Sequence, residues 1–172
     1  MNPIGEAFRR IIQEVYWIED LREAEEYLMG KLGLIDDDVR DLLLDEGGFC
    51  GDPLNLVYLV QAGSLSGEAL PGPISKAILA RSLVIAGFLM QCAPSWPRLS
   101  LADKARILVR LYKASYGLEL ALKRGPDRID EHHLDYSIEM LDEAYRIAGN
   151  LGLLEELRRY IEGVARRIAS RG

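Results

Sequence analysis

Apolar residues recur at helical spacing along most of the chain. Ile4, Phe8, Ile11, Val15 and Ile18 follow one another at intervals of three and four, with Ile12 beside them. Trp17, Leu21, Ala24 and Leu28 continue as a second stripe until Gly30. Together they predict one long first helix with a wide buried face, capped by Asn2 and started by Pro3. Its outer face is acidic, carrying Glu14, Glu19, Asp20, Glu23, Glu25 and Glu26. Asp36, Asp37 and Asp38 then read as the first turn of a short second helix, where carboxylates complement the helix dipole. Val39, Leu42 and Leu43 are its apolar positions and Gly47-Gly48 its end. Asp52-Pro53 predicts a third helix to about Ala62, and residues 63–72 read as a connector.

From Pro73 onward the pattern loses its polar face, with Ile74, Ile78, Leu79, Leu83, Val84, Ile85, Phe88 and Leu89. A helix that is apolar nearly all round is surrounded by others, which predicts the central core helix here. Its most apolar run, residues 83–90, falls well short of the roughly 20 residues a bilayer span needs. Ala93-Pro94-Ser95-Trp96-Pro97 interrupts the pattern. Ser100 and Asp103 resemble a capping box, with aspartate in the usual glutamate place, and predict a fifth helix to Arg124. Leu134, Ile138, Leu141, Tyr145 and Ala148 form one further stripe; Leu154, Leu157, Ile161, Val164 and Ile168 form another. The short 149–152 link predicts an antiparallel hairpin.

The expectation is therefore an all-α, single-domain bundle of about seven helices over residues 1–172, ending in a C-terminal antiparallel helical hairpin. A sub-division into acidic N-terminal helices (1–62) and a bundle (73–172) is compatible with the pattern. Composition agrees. Threonine is absent and valine sparse, so a sheet would lack its preferred residues. Ala114, Leu118, Ala121 and Pro126 fall at spacings used by tetratricopeptide-like repeats. The turn such a repeat needs would interrupt a continuous helical pattern near Val109, so no repeat is read.

The chain has 172 residues, 49% hydrophobic and 28% charged, with a net charge of −6. That is the balance of a folded domain, not of a disordered one. Sixteen arginines against five lysines, and only six Asn plus Gln, suit a thermophile or a GC-rich genome. Cys50 and Cys92 are expected to be free thiols. A disulfide between them would fit a hyperthermophile and contribute about 4 kcal/mol. The N-terminus has no basic start followed by an apolar core, which leads to the expectation of a cytoplasmic protein without a membrane association.

Few residues suggest chemistry. Asp130-x-x-His133 has the offset of half a carboxylate-bridged metal motif, and His132, Asp135, Glu139 and Asp142 line one helical edge. A di-metal bundle needs such a pair twice, so the cluster reads as a solvated face, with no metal and no cofactor expected. The spacing of Arg128 and His133 resembles the arginine–histidine pair of some helical ribonucleases, in which one group stabilises phosphate and the other moves a proton. Neither cysteine lies in a redox pair, and no serine stands in a nucleophile elbow. Gly47-Gly48 and Gly51 lack a lysine partner for phosphate, and Asp45, Glu46 and Asp52 do not match a calcium loop. Catalysis is a minority reading.

Charge is segregated. Residues 1–52 carry a net −9, residues 53–126 a net +6 and residues 127–172 a net −3. Within the basic block, Arg106, Arg110, Lys113 and Arg124 are expected to form a cationic stripe about 27 Å long, opposite Leu108, Leu111, Ser115 and Leu122. The leading expectation is a non-enzymatic protein-interaction module: a scaffold, adaptor or small subunit. The stripe would dock an acidic surface such as Glu19, Glu23 and Glu26, on the same chain or on a second copy in a homodimer. The alternative is a nucleic-acid-associated subunit that uses the stripe with Tyr112 or Tyr116, inside a complex because the acidic chain repels polyanions. A helical hydrolase or ribonuclease around Arg128 and His133 comes third.

Overall fold

The computed structural model describes residues 3–44, 49–64 and 72–171. They are helical almost throughout, with no strand among them, so the fold is all-α. The helices are α1 (Pro3–Trp17), α2 (Leu21–Leu44), α3 (Pro53–Ser64), α4 (Pro73–Phe88), α5 (Leu101–Ala121), α6 (Glu131–Asn150) and α7 (Leu153–Arg171). Short 3-10 turns lie at Phe49–Gly51, Leu89–Cys92, Trp96–Arg98 and Pro126–Arg128.

The long first helix expected from the two stripes is two helices. The chain breaks after Trp17, where one stripe hands over to the other. Asp20 caps the new start: its Oδ1 accepts the Glu23 N–H at 3.0 Å. Asp20 and Glu23 thus stand at N-cap and N3, the positions of a capping box. α2 then runs through Gly30, Gly33 and the three aspartates without a new start at Asp36. The Asn2 cap and the Gly47-Gly48 stop lie outside the described residues.

The centre of the bundle is α5, not α4. α5 packs on α6, α2, α1 and α4, and it is buried on nearly all sides from Lys104 to Ala121. α4 buries its small residues, Ala77, Ala80, Ala86 and Gly87, while Ile74 and Ile78 remain more than half exposed. Gly87 allows the close approach: a Cβ there would collide with the Leu111 side chain. With its 3-10 extension, α4 makes a 20-residue segment, Pro73–Cys92, long and apolar enough to cross a membrane; half of it is buried in the bundle. The segment is longer than the eight-residue run read from the sequence because it takes in Ile74, Ala77, Ile78, Leu79 and Ala80, across Lys76 and Arg81.

Cys50 and Cys92 are joined in a disulfide, which corrects the expectation of free thiols. Their Cα atoms are 5.8 Å apart, inside the range a bridge requires. The bond ties the turn before α3 to the turn after α4. The Tyr160 hydroxyl of α7 donates to the Cys50 carbonyl and fastens the last helix to the same point.

α5 and α6 meet through Gly117 and Ser137. The buried Ser137 hydroxyl donates to the Ala114 carbonyl at 2.8 Å, and a Cβ on Gly117 would lie 2.7 Å from Ser137 Oγ. This contact sets the two helices side by side and fixes the turn that joins them.

Candidate anion-binding site

The four cations of the expected stripe do not share one exposed face. Arg106 is half exposed and, among the described residues, pairs with Asp103 alone, at 3.5 Å. Arg110 is buried: its guanidinium reaches Glu25 of α2 at 2.8 Å and the Arg106 carbonyl at 2.8 Å. Its Nε lies 3.9 Å from Glu143 of α6, too far for a hydrogen bond. Lys113 is fully buried and donates to the carbonyls of Tyr16 at 3.1 Å and Ile18 at 2.6 Å. Those are carbonyls left without helical partners where α1 ends, and the ammonium satisfies them. Burial holds the Lys113 pKa below its ordinary value, with Glu19 pulling weakly the other way. The acidic residues of α2 that meet α5 are Glu25 and Asp36, while Glu19, Glu23 and Glu26 are exposed. Tyr112, one of two aromatics expected beside the stripe, is buried; Tyr116 is partly exposed.

Arg124 has a different setting. It lies past the end of α5, in the turn that leads to α6. Gly125 makes that turn with φ +94°, a left-handed conformation that suits glycine. The Arg128 N–H donates to the Gly125 carbonyl and the Asp130 N–H to the Ala121 carbonyl, at 3.2 and 3.0 Å. The fold-back leaves a pocket of about 450 Å³ lined by Lys123, Arg124, Arg128, Asp130 and His133, floored by Leu120, Ala121 and Ile129. Lys123, Arg124 and Arg128 enter no ion pair among the described residues.

Asp130 is the N-cap of α6, and its Oδ1 accepts the backbone N–H groups of His132 and His133 at 3.0 and 3.3 Å. The Asp130-x-x-His133 spacing is thereby explained as a helix cap. Its second oxygen lies 3.8 Å from His133 Nε2. Among the described residues no three His, Cys, Asp or Glu side chains converge as a metal site would need. His133 Nδ1 is instead 2.8 Å from the Tyr16 hydroxyl. Burial first, then Tyr116 and Asp130, raise the Tyr16 pKa, so the phenol keeps its proton.

Tyr16 is the residue that the sequence pattern left unremarked. Its ring touches those of Trp17, Tyr116 and Tyr136 edge-on, with centroids 5.0, 5.0 and 6.0 Å away. Long-range contact between the end of α1 and the α5–α6 seam brings these together. The only sequence signal for it is the Tyr16-Trp17 pair at the point where the apolar stripe changes register.

Arg128 and His133 both line the pocket, with Arg124 added from the stripe and Lys123 not anticipated. The arrangement offers three cations and one imidazole around a concave surface, with the Asp130 carboxylate engaged as the α6 cap and, among the described residues, no carboxylate paired to the cations. Such a site suits an anion with several oxygens. No protein-family model matches this chain, and neither a curated protein nor a solved structure is significantly similar to it.

Proposed function

We propose that this protein binds a phosphate-bearing ligand in the pocket between α5 and α6. The observation that carries the reading is the convergence of unpaired Lys123, Arg124 and Arg128 on one concavity that also holds His133. Most of the inward-facing cations of α5 are already engaged, Lys104 with Asp36 at 2.5 Å and Arg110 with Glu25. The cations at its end are left for an outside partner. Arg128 and His133 also keep the hydrolytic reading open to a direct test in the same samples. Titration calorimetry with pyrophosphate at low salt is expected to show binding that is lost in Arg124→Glu/Arg128→Glu. Binding that survives the double reversal removes the pocket reading. Turnover of a phosphodiester that His133→Ala abolishes is the result a hydrolase requires.

A second reading, the protein-interaction module, draws support from a different surface. Leu54 and Val57 of α3 and Ile74 and Ile78 of α4 are each more than half exposed on two helices that pack together. A second copy of the chain is the occupant this reading assigns. Sedimentation at micromolar concentration is expected to show a dimer that Val57→Asp/Ile78→Asp dissociates. A monomer at that concentration removes it.

The finer fold reading is a seven-helix bundle closed by an antiparallel α6–α7 hairpin. The Leu151-Gly152 link, with Gly152 at φ +79°, and the burial of Leu153 and Leu157 support it. The disulfide and the arginine-rich composition together fit the thermophile reading, because intracellular disulfides persist in hyperthermophiles.

A further inference from the structure

Trp17 is the exposed aromatic that the pocket alone does not explain. Its side chain is 65% exposed at the end of α1, although burying an indole is strongly favourable and most large apolar side chains here are covered. Nor is the ring loosely held. Tyr16 at 5.0 Å and Tyr116 at 6.3 Å pack against it in T-shaped geometry, while its 65% exposure leaves most of the indole open to solvent. Tyr16 links this platform to the pocket, because its hydroxyl is hydrogen-bonded to His133, a lining residue. Tyr116 makes a second link: Leu120, on the pocket floor, stands one helical turn beyond it on α5. Trp17 also borders a shallow groove of about 570 Å³ with Arg10, Gln13, Glu14 and Tyr27, in which the Tyr27 hydroxyl donates to the Glu14 carboxylate.

We propose that the ligand of the pocket is single-stranded nucleic acid, with one base stacked on Trp17 and a neighbouring phosphate held by Lys123, Arg124 and Arg128. The inference rests on the phosphate-binding reading above and names its substrate class. A fixed, open aromatic face beside unpaired cations is the combination that unpaired strands use: stacking takes any base, and cations follow the backbone. A duplex keeps its bases stacked on one another and offers no free face to Trp17. An inorganic or simple organic phosphate has no base to place there. Glu14, Glu19 and Asp20 are exposed near Trp17 in the chain, so a strand that stacks there is held through the pocket cations rather than along α1.

The test uses the intact chain and labelled oligothymidylate at low salt, followed by anisotropy. Binding is expected, with log affinity falling against log salt at a slope of about −2 for three cations at roughly −0.7 per phosphate. Trp17→Ala is expected to weaken the oligonucleotide by about tenfold or more and leave pyrophosphate unaffected. Trp17→Phe should recover part of the loss, because a phenyl ring still stacks. Fluorescence gives an independent signature: Trp96 is 1% exposed, so quenching on binding reports Trp17. An unchanged oligonucleotide affinity in Trp17→Ala overturns the stacking inference while the pocket reading stands if pyrophosphate still depends on Arg124 and Arg128. A duplex that binds as tightly as the single strand also overturns it. If neither pyrophosphate nor oligonucleotide binds, both readings fall together.

Discussion

Arg110 shows how a charge that looks free in the sequence is used inside the fold. It sits in the most buried helix, reaches α2 through Glu25 and the edge of α6 near Glu143, and leaves little of its surface to water. Removing it strands Glu25, whose side chain keeps 20% exposure and can partly rehydrate. Breaking a fully buried pair costs about 3–5 kcal/mol, so Arg110→Met is expected near the lower end, about 3 kcal/mol, in denaturant unfolding. Charge reversal there would set a third carboxylate against Glu25 and Glu143 and act on folding before it acts on any ligand. Arg124 and Arg128 are therefore the positions at which reversal isolates binding. A Met variant as stable as the parent would show that the guanidinium contributes no more than its apolar stem.

At the scale of the element, α2 carries a glycine that the helix does not need. Gly30 lies within a continuous helix, has no positive φ, and a Cβ added there meets nothing within 4 Å. Gly30→Ala is expected to raise stability by about 0.5–1 kcal/mol, through a smaller loss of backbone freedom on folding and better helix propensity. Urea unfolding with an unchanged slope is the measurement, and a loss of stability would mean that Gly30 meets a partner absent from this chain. The same residue explains why the element was hard to read. Gly30, Gly33 and three aspartates look like a stop and a restart, yet one glycine costs only about 1 kcal/mol, which tertiary packing of Leu28 and Leu32 outweighs. The true boundary was legible in Asp20 and Glu23, whose spacing is a cap signature, but the apolar pattern ran across it. Ser100 with Asp103 had no such competing pattern and forms the expected cap, with the Asp103 N–H 3.1 Å from Ser100 Oγ. The pocket was half legible. Arg128 and His133 are close in sequence and show as a spacing, whereas Tyr16 reaches His133 from 117 residues away. No local pattern records that contact. Lys113 was misread for a related reason: its partners are backbone carbonyls, which any sequence supplies.

At the scale of the whole molecule, the buried tyrosines set the alkaline limit of stability. Burial drives the Tyr112 and Tyr145 pKa values far above 10, with Asp36 adding to the effect at Tyr112, and Tyr145 donates to the Leu83 carbonyl at 2.7 Å. In the unfolded chain both titrate near 10. Above that pH the unfolded state releases protons that the folded state retains, so stability falls as pH rises. Each such tyrosine contributes about 1.4 kcal/mol per pH unit, or nearly 3 for these two, and the upward shifts of Tyr16, Tyr136 and Tyr160 add to the loss. Lys113 acts in the opposite sense, because its folded pKa lies below its unfolded one. Its contribution rises with pH up to its unfolded value of 10.5, so it offsets part of the tyrosine loss just above pH 10 and adds nothing further beyond. The two cysteines are joined and do not titrate, which leaves this window to Tyr and Lys. Stability is therefore expected to hold to about pH 10 and then to drop steeply, measured by denaturant unfolding in half-unit steps from pH 9 to 11.5. In Tyr145→Phe the slope above pH 10 is expected to fall by about 1.4 kcal/mol per unit, the share of one tyrosine, while the lost hydrogen bond lowers stability at neutral pH by about 1 kcal/mol. A slope unchanged in that variant would place the alkaline transition on other groups and leave the Tyr145 phenol without the role its burial assigns.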